Sequence, residues 1–414
     1  MEVLLNSFMD QHFGFSELAK QASLQPKEAL LEKRNPHNTL YIGVPKETTL
    51  QEGRIPLTPS SIQLLVSNGN EVWIETNAGK QAHFSDKDFS EAGAKICYSK
   101  EEVFKANVIL KVEPPTEDEI KLLTHEHLLI SALQHASKSD SFIKQLMQKK
   151  LTALAYENLK DSDGLYPIIR SMGEIAGITS IAVASELLST TQGGKGEMLG
   201  GITGIPPTEI VIIGAGTVGE YAAKSALGKG ASVKVFDHSL AKLRRIQNNL
   251  SSSIYTSLLH PKIIQKALQT ADVVIGCMRG DDGRSPVIIT EEMVCQMKPK
   301  SVIIDISVDQ GGIFETCEIT SHKEPTFIKH DVIHYCVPNI TSRVCRTASY
   351  ALSNIFTPLL LKLANTKDTA TFLYQNAGAR NGVYVYRGNL TDKHIGNRLN
   401  IYHKDLDLLL TAHI

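Results

Sequence analysis

The sequence predicts an α/β protein made of two doubly wound, mostly parallel sheets, the second inserted within the chain of the first. Three observations predict it. From Leu40 onward short apolar runs alternate with amphipathic stretches, the pattern of strands whose connecting helices cover both faces of a parallel sheet. A glycine motif, GAGTVG at 214–219, follows a run that is β-branched at every position, 210–213. That motif lies in mid-chain, where a protein with a discontinuous first domain places its second.

Taken in order, residues 1–38 read as a helical extension, with 16–20 and 26–34 helical and Asn35-Pro36-His37-Asn38 as the break. Residues 39–165 read as the first segment of a catalytic, substrate-holding domain. Its strand candidates are TLYIGVP, NEVWIET, NVILKVE, HLLISAL and LTALAYE, and its helices PSSIQLLVSNG, SDKDFSEAG and SDSFIKQLMQKK. Residues 166–344 read as the nucleotide domain. It opens at Tyr166-Pro167 with a long helix, 168–191, that stops at Gln192-Gly193-Gly194. After the glycine motif come a helix ending at Gly228/Gly230, a strand over 232–236, and the later strands ADVVIGCM, SVIIDIS and VIHYCVP. Residues 345–414 supply a linking helix over 349–365, interrupted at Pro358, and a tail from Gly382 that rejoins the first domain.

The central stretch, 209–237, carries the clearest chemistry. Gly214 permits the tight turn, Gly216 lets the backbone approach a pyrophosphate, and Gly219 packs helix against strand. The helix that starts there offers free N–H groups to the anion. Asp237, at the end of the second strand, suits an adenosine ribose and repels a 2′-phosphate, so the expected cofactor is NAD rather than NADP.

Composition narrows the class. The net charge of −1 gives no reason to expect nucleic acid or an anionic membrane as partner. Six cysteines show no CxxC pair, in keeping with a reducing compartment. The apolar run 175–188 contains Ser180, Ser185 and Glu186, too short and polar a stretch to span a bilayer. The first twelve residues lack a basic leader, so the expected location is the cytoplasm. No metal-ligand spacing is present, and GGKGEMLGGITG at 193–204 does not meet the P-loop pattern.

Other stretches hold candidate site residues. GVPKETTLQEGRIPLTP at 43–59 carries Arg54, read as a solvated loop arginine or as a fork that suits a substrate carboxylate. Lys111 stands near the end of an apolar strand, as a substrate contact or a snorkelling surface lysine. Gln134 and His135 follow another strand, and a histidine there is able to move a proton at neutral pH. Asp309 lies four residues beyond Asp305 and beside Gly311-Gly312, a setting that suits a nicotinamide pocket. HYCVPNITS at 334–342 would close that pocket, with Cys336 read as a buried strand cysteine.

These stretches resemble the alanine dehydrogenase and pyridine nucleotide transhydrogenase family, and alanine dehydrogenase more than the transhydrogenase subunit. The resemblance rests on VPKET…GRIPLTP, LKV near 110, MGEIAG at 172–177, TQGGKG at 191–196, GAGTVG, DISVDQGG at 305–312, YCVPNI at 335–340 and TASYALSN at 347–354. It implies two Rossmann-like domains with the NAD-binding one inserted, a homo-oligomer (a hexamer in the family), and reversible NAD-dependent deamination of L-alanine to pyruvate and ammonia. By matching position, Arg54 would hold the substrate carboxylate and Asp309 would be the catalytic acid. Thr217, Val218, Asp237 and Lys242 would contact the adenosine half. Cys277, Met278, Ile306 to Asp309, Val337, Asn339 and Ile340 would line the rest. Two departures stand out. LKVEPP replaces the family's LKVKEP, leaving only Lys111, and Gln134 aligns with a proton-transferring histidine that His135 matches only after a one-residue slip. Two other readings stay open: a dehydrogenase of another amino or 2-oxo acid, and a non-catalytic NAD(H)-binding sensor.

Overall fold

The computed structural model describes residues 39–49, 51–133, 140–250, 253–280 and 285–411. Their strands form two sheets. The first is built on β1 (Tyr41–Val44), β2 (Glu71–Glu75), β3 (Lys95–Cys97), β4 (Val108–Leu110), β5 (Leu128–Ser131) and β6 (Thr152–Ala155), all parallel in the order β3-β2-β1-β4-β5-β6. The second comprises β7 (Glu209–Ile213), β8 (Ser232–Asp237), β9 (Tyr255–Leu258), β10 (Val273–Gly276), β11 (Val302–Asp305), β12 (Thr326–Lys329) and β13 (Val332–Tyr335). Its order is β9-β8-β7-β10-β11-β13-β12, with β12 alone antiparallel. The tail then returns as β14 (Val383–Tyr386) and β15 (Asn389–Leu390), and β14 pairs antiparallel with β6. The chain thus leaves the first sheet, completes the second, and comes back.

The central strands β7, β10 and β11 are apolar on both faces, as helices on each side require. Residues 210–213, 273–276 and 302–305 are all buried. The strand order reverses between β7 and β10, which opens a crevice at their carboxyl ends.

Three helices position that crevice: α1 (Pro167–Leu187), α2 (Thr217–Gly228) and α3 (Cys345–Ala364). Helix α1 begins with proline at its first position, where a missing N–H costs nothing. It ends earlier than the sequence suggests, and residues 190–192 form a separate 3₁₀ turn. By length and composition alone α1 is long and apolar enough to cross a membrane, because its helix reaches back to Pro167 beyond the run at 175–188; half of that apolar window is buried inside the protein. Its glycines explain the MGEIAG stretch. A Cβ at Gly177 would collide with the Val218 carbonyl oxygen and stand 2.8 Å from Ala222 N, so α1 and α2 touch backbone to backbone. Gly177→Ala is therefore expected to lower stability by about 1–3 kcal/mol and to weaken dinucleotide binding, read by thermal melting and NADH titration.

Helix α3 runs unbroken through Pro358, contrary to the interruption expected there. The proline removes one donor to the Asn354 carbonyl, but both residues lie on the exposed side of the helix, where the loss costs least. The buried side has a task. Ser349 Oγ accepts from Ile55 N at 2.9 Å and Ser353 Oγ from Thr58 N at 3.0 Å. Just before the helix, Ser342 Oγ accepts from Gly53 N at 2.7 Å. Three serines from the far end of the sequence hold the loop that carries Arg54.

Candidate active site

A cleft of about 340 Å³ occupies the switch point of the second sheet. The turn from β7 into α2 forms its floor through Gly214, Gly216, Thr217 and Val218. Gly214 has φ +117°, open to glycine only, and Gly219 packs so closely that a Cβ there would overlap the Gly214 carbonyl. Gly216 caps α2 without any side-chain bond to the first-turn N–H groups, and a Cβ on it would meet nothing within 4 Å. Open space thus lies over a helix N-terminus of unsatisfied donors, the environment a pyrophosphate fits.

Asp237 lies at the rim, 1 % exposed, taking Ala215 N on one oxygen at 2.7 Å and Ser239 N on the other at 2.8 Å. These bonds fix the turn and leave the carboxylate facing the cleft beside Lys242. Cys277 and Met278 follow β10, and Ile306 and Asp309 follow β11. Burial pushes the Cys277 thiol far above its usual range, so it is an inert wall. Asp309 is exposed on the cleft wall, yet the protein around it desolvates its carboxyl and raises it to about 6 against the pull of Arg279. Asp305 is a strut: its carboxylate accepts from Ser307 N, Ser307 Oγ and Ile313 N at 2.9, 2.6 and 2.8 Å, clamping the Gly311-Gly312 bend.

The remaining predicted residues are distributed as follows. Ile340 lines the cleft, whereas Val337 is buried beneath it and Gly219 sits inside the turn. Asn339 turns away to Glu52 Oε2 at 3.3 Å and His322 at 3.1 Å. Cys336 is buried, its Sγ 3.1 Å from that of Cys317. Gln134 and His135 lie outside the described residues. Lys111 does not reach the cleft. It is 1 % exposed, and its ammonium is held at 3.1 Å by both Glu47 and Glu119, which fasten the loop after β1 to the segment after β4.

Arg54 stands one side chain behind the cleft. Glu52 grips its Nε at 2.8 Å and Nη2 at 2.6 Å, while Nη1 meets the Met172 sulfur at 3.5 Å. Burial opposes the guanidinium's charge, but Glu52 outweighs it and pushes the Arg54 pKa further up. Met172 itself lines the cleft, as do Ile169, Gly173 and Ala176 from the same helix. The sequence reading missed these α1 residues, together with Arg279 and Gln310, whereas Ser307, Pro338 and Thr341 fall in the segments expected at the pocket. MGEIAG and DISVDQGG drew notice beforehand, but without a role for Met172, Gly173, Ala176 or Gln310.

A switch-point cleft over an uncapped glycine-lined helix, with a buried guanidinium at its edge, defines a dinucleotide-dependent enzyme of the two-sheet dehydrogenase type. The comparisons agree. Residues 43–176 match the alanine dehydrogenase/PNT N-terminal domain and 180–393 the C-terminal domain. Alanine dehydrogenase 2 of Staphylococcus aureus (strain USA300) is 36 % identical over 369 residues, 89 % of this chain and 99 % of that protein. A solved L-alanine dehydrogenase superposes with TM-score 0.81 at 35 % identity, covering 90 % of this chain and all of the other. A transhydrogenase from Sinorhizobium meliloti, at 21 % identity over 85 % of this chain and 99 % of its own, shares the fold with TM-score 0.73. The chain belongs to the alanine dehydrogenase/PNT family.

Proposed function

We propose that the protein is an NAD-dependent L-alanine dehydrogenase, deaminating L-alanine reversibly to pyruvate and ammonia. One observation carries the reading: a single cleft is lined by the α2 N-terminus, Asp309 and Met172, and the Met172 sulfur touches Arg54. Cofactor, proton-transfer and carboxylate-binding groups therefore adjoin one cleft. NAD bound in the cleft supplies the hydride acceptor. Arg54 takes the amino-acid carboxylate, and Asp309 accepts a proton as water adds and returns it to the departing amine. Lys111 holds the Arg54 loop in shape through Glu47 rather than touching substrate.

The division into 39–165, 166–344 and 345–414 belongs to the same proposal, supported by the pairing of β14 with β6. So does assembly of several copies in the cytoplasm, where exposed Met198, Ile202 and Ile205 would be covered.

The test follows NADH by its absorbance, with L-alanine in one direction and ammonium plus a panel of 2-oxo acids, pyruvate first, in the other. Tight NADH binding without turnover of any acid would favour a sensor instead. Asp237→Ala is expected to weaken NADH binding and to erode the preference for NAD over NADP, since it removes both the ribose acceptor and the charge that repels a 2′-phosphate. Unchanged discrimination in cofactor titrations would refute that role.

A further inference from the structure

The cluster behind Met172 contains one guanidinium and two carboxylates, Glu52 and Glu113, all buried. The two acids take different places around the guanidinium. Glu52 binds Arg54 through Nε and Nη2 and receives Ser342 Oγ at 3.0 Å and Asn339 Nδ2 at 3.3 Å. Glu113 approaches Arg54 Nη2 at 3.4 Å, long for a charge-assisted bond. Arg54 Nη1 faces a thioether, a weak acceptor on a flexible side chain. The Nη1–Nη2 edge is thus where an incoming carboxylate would bind once Met172 moves aside, and Glu113 stands beside that edge.

Charge then decides what binds there. A 2-oxo acid carries only its carboxylate into a cluster that already holds an excess negative charge. A 2-amino acid brings an ammonium two bonds from its carboxyl carbon, able to meet Glu113 while the carboxylate meets Arg54. We infer that Glu113 is a specificity-determining residue that recognises the substrate's α-ammonium and so favours the amino acid over its 2-oxo counterpart. This rests on the dehydrogenase reading above and names the residue that sets its preferred ligand.

The experiment compares wild type with Glu113→Gln, which keeps shape and removes charge, and with Glu113→Asp, which keeps charge. L-Alanine and pyruvate are each titrated into the NADH-loaded protein, and other 2-amino and 2-oxo acid pairs follow; KM values are measured alongside. Glu113→Gln should weaken L-alanine by about tenfold to a hundredfold, leave pyruvate unchanged or tighter, and leave NADH binding as it was. Glu113→Asp should recover part of the L-alanine affinity. Equal weakening of both members of a pair, or no change in either, would overturn the inference, because a purely structural prop for Arg54 serves both ligands alike. Wild-type binding without turnover would sink the dehydrogenase reading alone, since amine selectivity and its loss in Glu113→Gln are still read from binding. Absence of binding for every pair would overturn both.

Discussion

Replacing Arg54 by alanine is expected to raise the amino-acid KM roughly 100-fold or more, while leaving NADH affinity as it is. The two effects separate because Arg54 lies behind Met172 and not among the residues lining the dinucleotide cleft. The same change should lower stability by about 3–5 kcal/mol, since it strands two buried carboxylates, Glu52 and Glu113, without their cation. Burial alone would raise the Glu52 pKa, but Arg54 overrides it and holds that carboxyl below the usual range. This contribution to stability is therefore present above the ordinary carboxylate range and fades as pH falls through the depressed value. In Arg54→Ala that acid-side loss should disappear from the pH dependence of thermal unfolding. Arg54→Lys keeps a charge near Glu52 but not the two-pronged contact, so it should recover part of the stability and little of the KM. Losses of NADH and amino-acid affinity by the same factor in Arg54→Ala would contradict the assignment.

Most of the strands the sequence did not disclose share one property. β3, β9, β12 and β15 stand at the four sheet edges, whereas the strands with two neighbours were visible as strand candidates, except β14, read only as a tail that rejoins the first domain. An edge strand has less to bury, and β9, with Tyr255 and Leu258 exposed around Thr256 and Ser257, has no apolar pattern to see. The glycine turn was legible for the opposite reason: its strand, helix and acid are contiguous, so spacing carries the geometry. The substrate half is assembled from distant segments. Nothing in the spacing of Ser342, Ser349 and Ser353 says that they receive the N–H groups of Gly53, Ile55 and Thr58, nearly 300 residues earlier. Lys111 looked like a strand-end cation because its partners, Glu47 and Glu119, come from a separate loop and a separate helix. At LKVEPP, the departure the family resemblance implies, Glu113 lies beside Arg54.

Asp309→Asn is expected to cut kcat by about 10²- to 10⁴-fold, the range over which a positioned acid–base group acts. The pH profile carries the sharper information. Desolvation raises the Asp309 carboxyl to about 6, so it is a carboxylate above that value and a neutral acid below it. In oxidative deamination it must accept a proton, and the wild-type rate should climb as pH rises through about 6 and then level off. The asparagine variant should show no such limb. Stability should move the other way. A carboxyl whose folded pKa is raised costs the native state nothing below the unfolded value, and its cost grows until pH passes the folded one. Asp309→Asn should therefore match wild type in strong acid and melt higher at neutral pH, giving up catalysis for stability at a site whose desolvation keeps its proton available. A wild-type profile flat through pH 6, or an acid limb that survives in Asp309→Asn, would assign the proton to another group.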